Sequence, residues 1–303
     1  MGLDLFKGSS YSGPPRSDEP VRMERNYFFL YDNESPQIDL YSYQTSQGKK
    51  YYVKLFITIT TLQDIFIGSG EIDKIANQLV DVFSYITPEK GKKTWNIPGS
   101  SLKGCIFTHL SMFLQSRSTD FFSAKDGPAK VFFADLPIRS KSQATHKSIP
   151  ARFSPKGVPD NVSFKLYKKE YVKDTLPQGS YATEPGKERI QAIPTGSQFS
   201  SFIHGKQLDE YEMAMLIVAL GAFPGYSFQF KMGGAKNRAM GLVRLDIDFD
   251  KSFYALSLKD IFAQKVLPLS NLKPNLEKVL AQLKQDSPKL DTVIKKLQGE
   301  YGQ

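Results

Sequence analysis

Two short segments mix glycine with hydroxyl and cationic residues: Ile97-Pro98-Gly99-Ser100-Ser101-Leu102-Lys103-Gly104 and Met232-Gly233-Gly234-Ala235-Lys236-Asn237-Arg238-Ala239-Met240-Gly241. Glycine lets a backbone approach a phosphate closely, while neighbouring N–H groups and side chains offer donors and positive charge. Gly99, Ser100, Ser101 and Lys103 in the first segment, and Gly233, Gly234, Lys236 and Arg238 in the second, are therefore candidate phosphate contacts. Either segment alone also fits a helix cap or an exposed hairpin tip. Two in one chain point to a polymer of phosphates.

The elements around these segments set their positions. Tyr51 to Thr60 alternates β-branched and aromatic residues, as a half-buried strand does. From Ser101 the apolar residues recur every three to four positions, which predicts a helix with Ser100 or Ser101 at its N-cap. The first glycine segment then lies at a strand-to-helix junction, with the positive helix end facing its loop. Val131–Leu136 reads as a strand, and Glu188–Ile203 as two strands or one broken at Pro194-Thr195-Gly196. Asp209–Ala222 reads as a helix opened by an Asp209/Glu212 capping box. Gly241–Phe249 alternates cleanly and reads as the last core strand. This order, strand–helix–strand–strand–helix–strand, predicts an α+β ferredoxin-like fold, βαββαβ, of the kind that presents an open sheet to RNA. Residues 1–50 read as an extension with short strands at Asn26–Leu30 and Ile38–Tyr43, and 51–250 as the core. Residues 251–303 read as a helical extension split near Asp286-Ser287-Pro288.

Charge agrees with a polyanionic partner: the chain carries +9 with a pI near 9.3. Between Arg139 and Arg189 there are eleven lysines and arginines against five acids. Residues 139–187 are rich in Pro, Gly and Ser and read as a basic protrusion with a hairpin near Val162–Tyr171. Arg139, Lys141, Arg152, Lys168, Lys169 and Arg189 are its candidate RNA contacts, interleaved with Phe153, Phe164, Tyr167 and Tyr171. The single Cys105 excludes an internal disulfide and a cysteine-rich zinc site, and suggests a reducing, cytoplasmic setting. No apolar run reaches the length of a membrane span, so no membrane partner is expected. His109, His146 and His204 show no metal-ligand spacing. His109 falls within the first helix and reads as structural.

The Ile97–Gly104 motif, the segment Arg189-Ile190-Gln191-Ala192-Ile193-Pro194-Thr195-Gly196, and Gly233–Gly241 leading into Leu242-Val243 occur in one order. That order resembles the RAMP superfamily, and in particular the crRNA-binding backbone subunits of type III CRISPR effector complexes. The resemblance covers about residues 50 to 250. It implies a palm that grips guide RNA and a thumb, at about 139–187, that wedges against complementary target RNA so that one target nucleotide in six flips out. Other type III effector subunits would be its protein partners. In members that cut target RNA, an aspartate ahead of the Ile-Pro-Gly-Ser-Ser motif carries the activity. By that resemblance Asp81 is the candidate catalytic residue and ligand of Mg²⁺ or another divalent cation, with Asp73 second. The chain departs from the pattern in two places: no arginine closely follows Gly104, and Ala235, Lys236 and Asn237 interrupt the glycine-rich loop. These departures fit a divergent paralogue, or a non-catalytic subunit capping the guide's 3′ side. A standalone repeat-processing ribonuclease is the third reading.

Overall fold

The computed structural model describes residues 27–43, 48–75, 77–87, 91, 93–116, 129–150, 162–169 and 187–301. Its strands and helices run in this order: β1 (Tyr27–Tyr31), β2 (Tyr51–Thr61), β3 (Gly68–Ile75), β4 (Gln78–Phe83), β5 (Tyr85–Ile86), β6 (Thr94–Ile97) and α1 (Gly99–Phe113). Then come β7 (Val131–Phe133), β8 (Leu136–Pro137), β9 (Thr145–Pro150), β10 (Val162–Tyr167), β11 (Lys187–Ala192), β12 (Gln198–Leu208) and α2 (Glu210–Ala219). The chain continues through β13 (Phe230–Lys231), β14 (Leu242–Ala255), α3 (Leu258–Phe262), β15 (Leu267–Pro268), α4 (Lys273–Asp286) and α5 (Lys289–Tyr301).

The main sheet is ordered β14-β2-β12-β7, with β13 and β15 added along β14. Every neighbouring pair in it is antiparallel. Counting only β2, β7, β12 and β14, this is the fourth–first–third–second order of a ferredoxin-like sheet, with α1 and α2 in the two crossovers. β2 shows why the face is fixed: Tyr51, Val53, Leu55, Ile57, Ile59 and Thr61 are buried, while the residues between them are half-exposed. The buried face packs under Leu102, Ile106 and Leu110 of α1 and the apolar residues Met213–Ala219 of α2. α2 starts at the expected capping box: Asp209 accepts from the Glu212 N–H and Glu212 accepts from the Asp209 N–H.

One open alternative is resolved and two expectations are revised. The segment 188–203 is two strands in two sheets: β12 pairs in the main sheet, whereas β11 joins a second sheet ordered β3-β4-β11-β9. The bend at Pro194–Gly196, with Gly196 at φ +82°, sends the chain from one to the other. Val162–Tyr167 pairs antiparallel with β1, while the rest of the expected hairpin, 170–171, lies outside the described residues. Ile38–Tyr43 is a single bridge to Leu114 followed by a 3-10 turn at Leu40–Tyr43, and it packs on the end of α1 through the Ile38 N–H to Phe113 O. At the other end, α4 and α5 break at Ser287-Pro288, and their apolar stripes are buried.

Candidate nucleic-acid interface

β2 and β7 finish, and β12 and β14 begin, at one end of the main sheet; Phe199 pairs with Ile59 and Val243 with Thr61 there. Both glycine segments occupy this end. A ladder of backbone hydrogen bonds connects them: Gly234 N–H to Phe66 O, Ser84 N–H to Ile67 O, Asn96 N–H to Ser84 O. The two segments therefore belong to one continuous backbone network at this end of the sheet.

The second segment is a tight loop. Gly233 (φ +82°) and Gly241 (φ +85°) hold left-handed backbones, and a Cβ at either would lie 2.3 Å from Phe66 O or 2.2 Å from Met232 O. Between them, Lys236–Arg238 forms one 3-10 turn. Ala235 (φ 55°) and Ala239 (φ 54°) flank it in the left-handed region. Alanine there is strained, and such strain persists only where the surroundings enforce it. One enforcing contact is Lys231, a buried lysine whose Nζ donates to Lys236 O at 2.9 Å. Burial, and then the charge of Lys236, push the Lys231 ammonium down to about 8. Below the loop, Cys105 lies 3.7 Å from Lys231 O, and His109 is buried with Nδ1 2.7 Å from Ala219 O. Burial, opposed by that bond and helped by Lys236, lowers His109 to about 4, so it is a neutral core residue, as expected.

The first segment is built differently. α1 begins at Gly99, so Ser100 and Ser101 lie inside its first turn, not at the cap; Pro98 is the N-cap and makes no side-chain cap bond. The capping oxygen comes from Asp135, whose Oδ1 accepts the Gly99 N–H at 2.8 Å. A Cβ on Gly99 would sit 2.1 Å from Phe133 O, so the glycine is required by the contact of α1 with β7. A carboxylate already occupies the positive helix end. Ser100 is exposed and Lys103 half-buried, with its Nζ 5.3 Å from the Phe107 ring centroid.

The glycine loop opens onto a cleft of about 420 Å³, lined among others by Asp64, Lys147, Thr195 and Arg238. Asp64 pairs with Lys147 and accepts from the Thr195 N–H (2.8 Å) and hydroxyl (3.0 Å). Partial burial works to raise the Asp64 carboxyl, but the bonds from Lys147 and Thr195 outweigh it and hold it below the usual range. The basic insertion also reaches this cleft: Gln63 Nε2 donates to Lys169 O at 2.7 Å. Lys168 is half-buried beside it and Lys169 exposed. Arg139, Lys141 and Arg189 are exposed, on the approach to β9 and on β11. Arg152 lies outside the described residues.

Asp81 is half-buried in β4, flanked by Ile72 of β3 and Ile190 of β11. Since Ile190 also pairs with Lys147, Asp81 shares a cross-sheet row with that lysine, two strands or about 10 Å away. Asp73 is exposed on β3, and its Oδ1 accepts from the Lys74 N–H. Among the described residues no three His, Cys, Asp or Glu side chains gather as a metal site would need. Among the described residues, the chain's own donors therefore do not gather as a resident Mg²⁺ site around Asp81. No helix among the described residues is long and apolar enough to cross a membrane.

Sequence reasoning named the loop glycines and cations but missed Asp64, Asp135, Thr195 as a hydroxyl contact, and Lys231. None of these carried a local signal; Asp135 lies inside the segment Val131–Leu136 that reads as a strand, whereas the observed β7 ends at Phe133.

No curated protein matches the chain. Among solved structures, one chain of a cryo-EM structure of the Type III-B Cmr-beta bound to cognate target RNA is similar at 17% identity and a TM-score of 0.42. The match covers 68% of this chain and 62% of that one, so this chain spans less than two thirds of its length. The profile of the RAMP superfamily matches residues 58–244, from the second half of β2 to the start of β14, and the chain belongs to that superfamily.

Proposed function

We propose that this chain is a guide-RNA-binding subunit of a type III CRISPR effector complex, gripping ribose-phosphate backbone at the end of its main sheet. The carrying observation is the Lys236–Arg238 turn, held by two left-handed alanines and the buried Lys231, beside a cleft that also bears Lys147. A rigid, cation-bearing turn beside backbone N–H groups suits phosphate oxygens, with little ordering cost on binding. The first segment contributes at its rim, through Ser100 and Lys103, because Asp135 holds the helix end itself. Membership of the superfamily and the order of the three motifs support the guide-RNA assignment. The basic stretch 139–187 would serve as the thumb against target RNA, with Arg189 and Lys169 at its base.

Cutting of target RNA through Asp81 is the second part of the proposal. One carboxylate offers a divalent cation little by itself, so Asp81 would act on the 2′-hydroxyl directly or share a cation with RNA oxygens. The test is purification of the chain with its guide and partner subunits, followed by ultraviolet cross-linking. Cross-links on Lys236–Met240 and Lys147–Ile149 peptides are expected; RNA-free assemblies would overturn the assignment. Loss of six-nucleotide-spaced cleavage in Asp81→Ala, with Asp73→Ala active, is the expected pattern. Cleavage retained by both variants would remove this chain from the cutting role and leave the capping-subunit reading in its place.

A further inference from the structure

The face of the main sheet turned away from α1 and α2 carries aromatic rings where a solvated sheet would carry polar groups. Phe132 of β7 is 62% exposed, so no described element covers that edge. Phe56 and Phe202 lie directly opposite each other on the two central strands, half-buried. Each has a ring neighbour: Phe56 and Phe253 at 6.4 Å between centroids, Phe202 and His204 at 4.7 Å. Lys54 stands between the two pairs, its Nζ 4.2 Å from the Phe202 centroid and 5.1 Å from that of Phe56. The cross-strand neighbours of Lys54 are His204 and Phe253, so no carboxylate lies opposite it. The acids of this face, Asp246 and Asp248, sit on β14 and pair with Arg244 and Lys251.

We propose that Phe56 and Phe202, with Lys54 between them, form a base-stacking platform for two successive nucleotides of single-stranded RNA. Rings give bases a flat apolar partner regardless of sequence, and the ammonium meets the backbone that joins them. The platform lies four residues, about 13 Å, from the Thr60 end of β2, where the glycine loop is found. One strand could therefore occupy both. Thr58 and Ser200, hydrogen-bonded at 3.1 Å, fill the row between and offer hydroxyls to ribose or base edges. The platform uses the same ligand class as the phosphate grip, and so rests on that reading for the identity of the polymer, but it uses separate residues and different physics.

The experiment measures binding of a fluorescent ten-nucleotide oligouridine to the full chain, for wild type, Phe56→Leu/Phe202→Leu and Lys236→Ala/Arg238→Ala. Stacking is worth about 1–3 kcal/mol per base, so the Phe pair should weaken binding at least about tenfold. The slope of affinity against salt should stay unchanged, since no phosphate contact is lost. Four-thiouridine should cross-link to peptides covering residues 52–58 or 200–204 in the wild type, which tests the platform even if the double variant folds poorly. Unchanged affinity with cross-links elsewhere overturns the platform, as does loss of a protein subunit from the assembly with RNA binding intact. If both variants bind as wild type does, the RNA reading itself fails; if only the Phe pair is silent, the platform alone fails.

Discussion

The two glycine segments look alike in sequence and differ in what their glycines serve. At Gly99 a side chain would strike Phe133 O, and the adjacent helix end is filled by Asp135. At Gly233 and Gly241 the backbone is left-handed, and the loop they frame ends in a strained turn carrying Lys236 and Arg238. Steric need for glycine therefore does not by itself mark a ligand loop; one segment is chiefly a helix–strand junction and the other a presenting loop.

Substitutions can separate these roles. Gly99→Ala forces α1 off β7 and should cost about 3 kcal/mol of stability, read by denaturant unfolding. A tolerated alanine would show that the close approach is not needed. Next in size is the Lys231 pin. At pH 7 its ammonium is charged in folded and unfolded chains alike. Between about 8 and the ordinary 10.5 only the unfolded chain keeps the proton, so stability rises with pH across that window. Relative to Lys231→Met, the wild type should gain about 3 kcal/mol between pH 7 and 10.5; parallel pH profiles would mean the lysine is not buried as described.

Asp135→Ala removes the cap and should cost about 1 kcal/mol, with RNA affinity within about twofold of wild type. A larger rise in affinity would show that the freed helix end takes a phosphate, and would bring the two segments closer in role. The smallest effect is expected for Ala235→Gly and Ala239→Gly. Each relieves a left-handed alanine and should raise stability by about 0.5–1 kcal/mol, less the entropy that glycine adds to the unfolded chain. A loss of stability would show that the buried methyl of Ala235 matters more than the strain.

The core was legible because each of its elements repeats one period. Tyr51–Thr61 alternates strictly, and the Asp209/Glu212 box announces α2 three residues ahead of its apolar face. The second sheet was not legible. β3 has no buried residue to mark a face, and β4 meets β11 only at Asp81 and Ile190, more than a hundred positions apart in sequence. The start of α1 was misplaced for the same reason: its cap is supplied from Asp135, 36 positions on, and no local pattern encodes that. Within the candidate interface, loop glycines and cations could be read from composition. Asp64, Thr195 and Lys231 could not, because their roles depend on where the turns meet.

The most direct test of the central claim is the salt dependence of guide-RNA binding by wild type and Lys236→Ala/Arg238→Ala. Each single-strand phosphate contact contributes about 0.7 to the slope of log affinity against log salt. The double variant should bind more weakly at low salt and lose about 1.4 from that slope. An unchanged slope and affinity would contradict a phosphate grip at this loop.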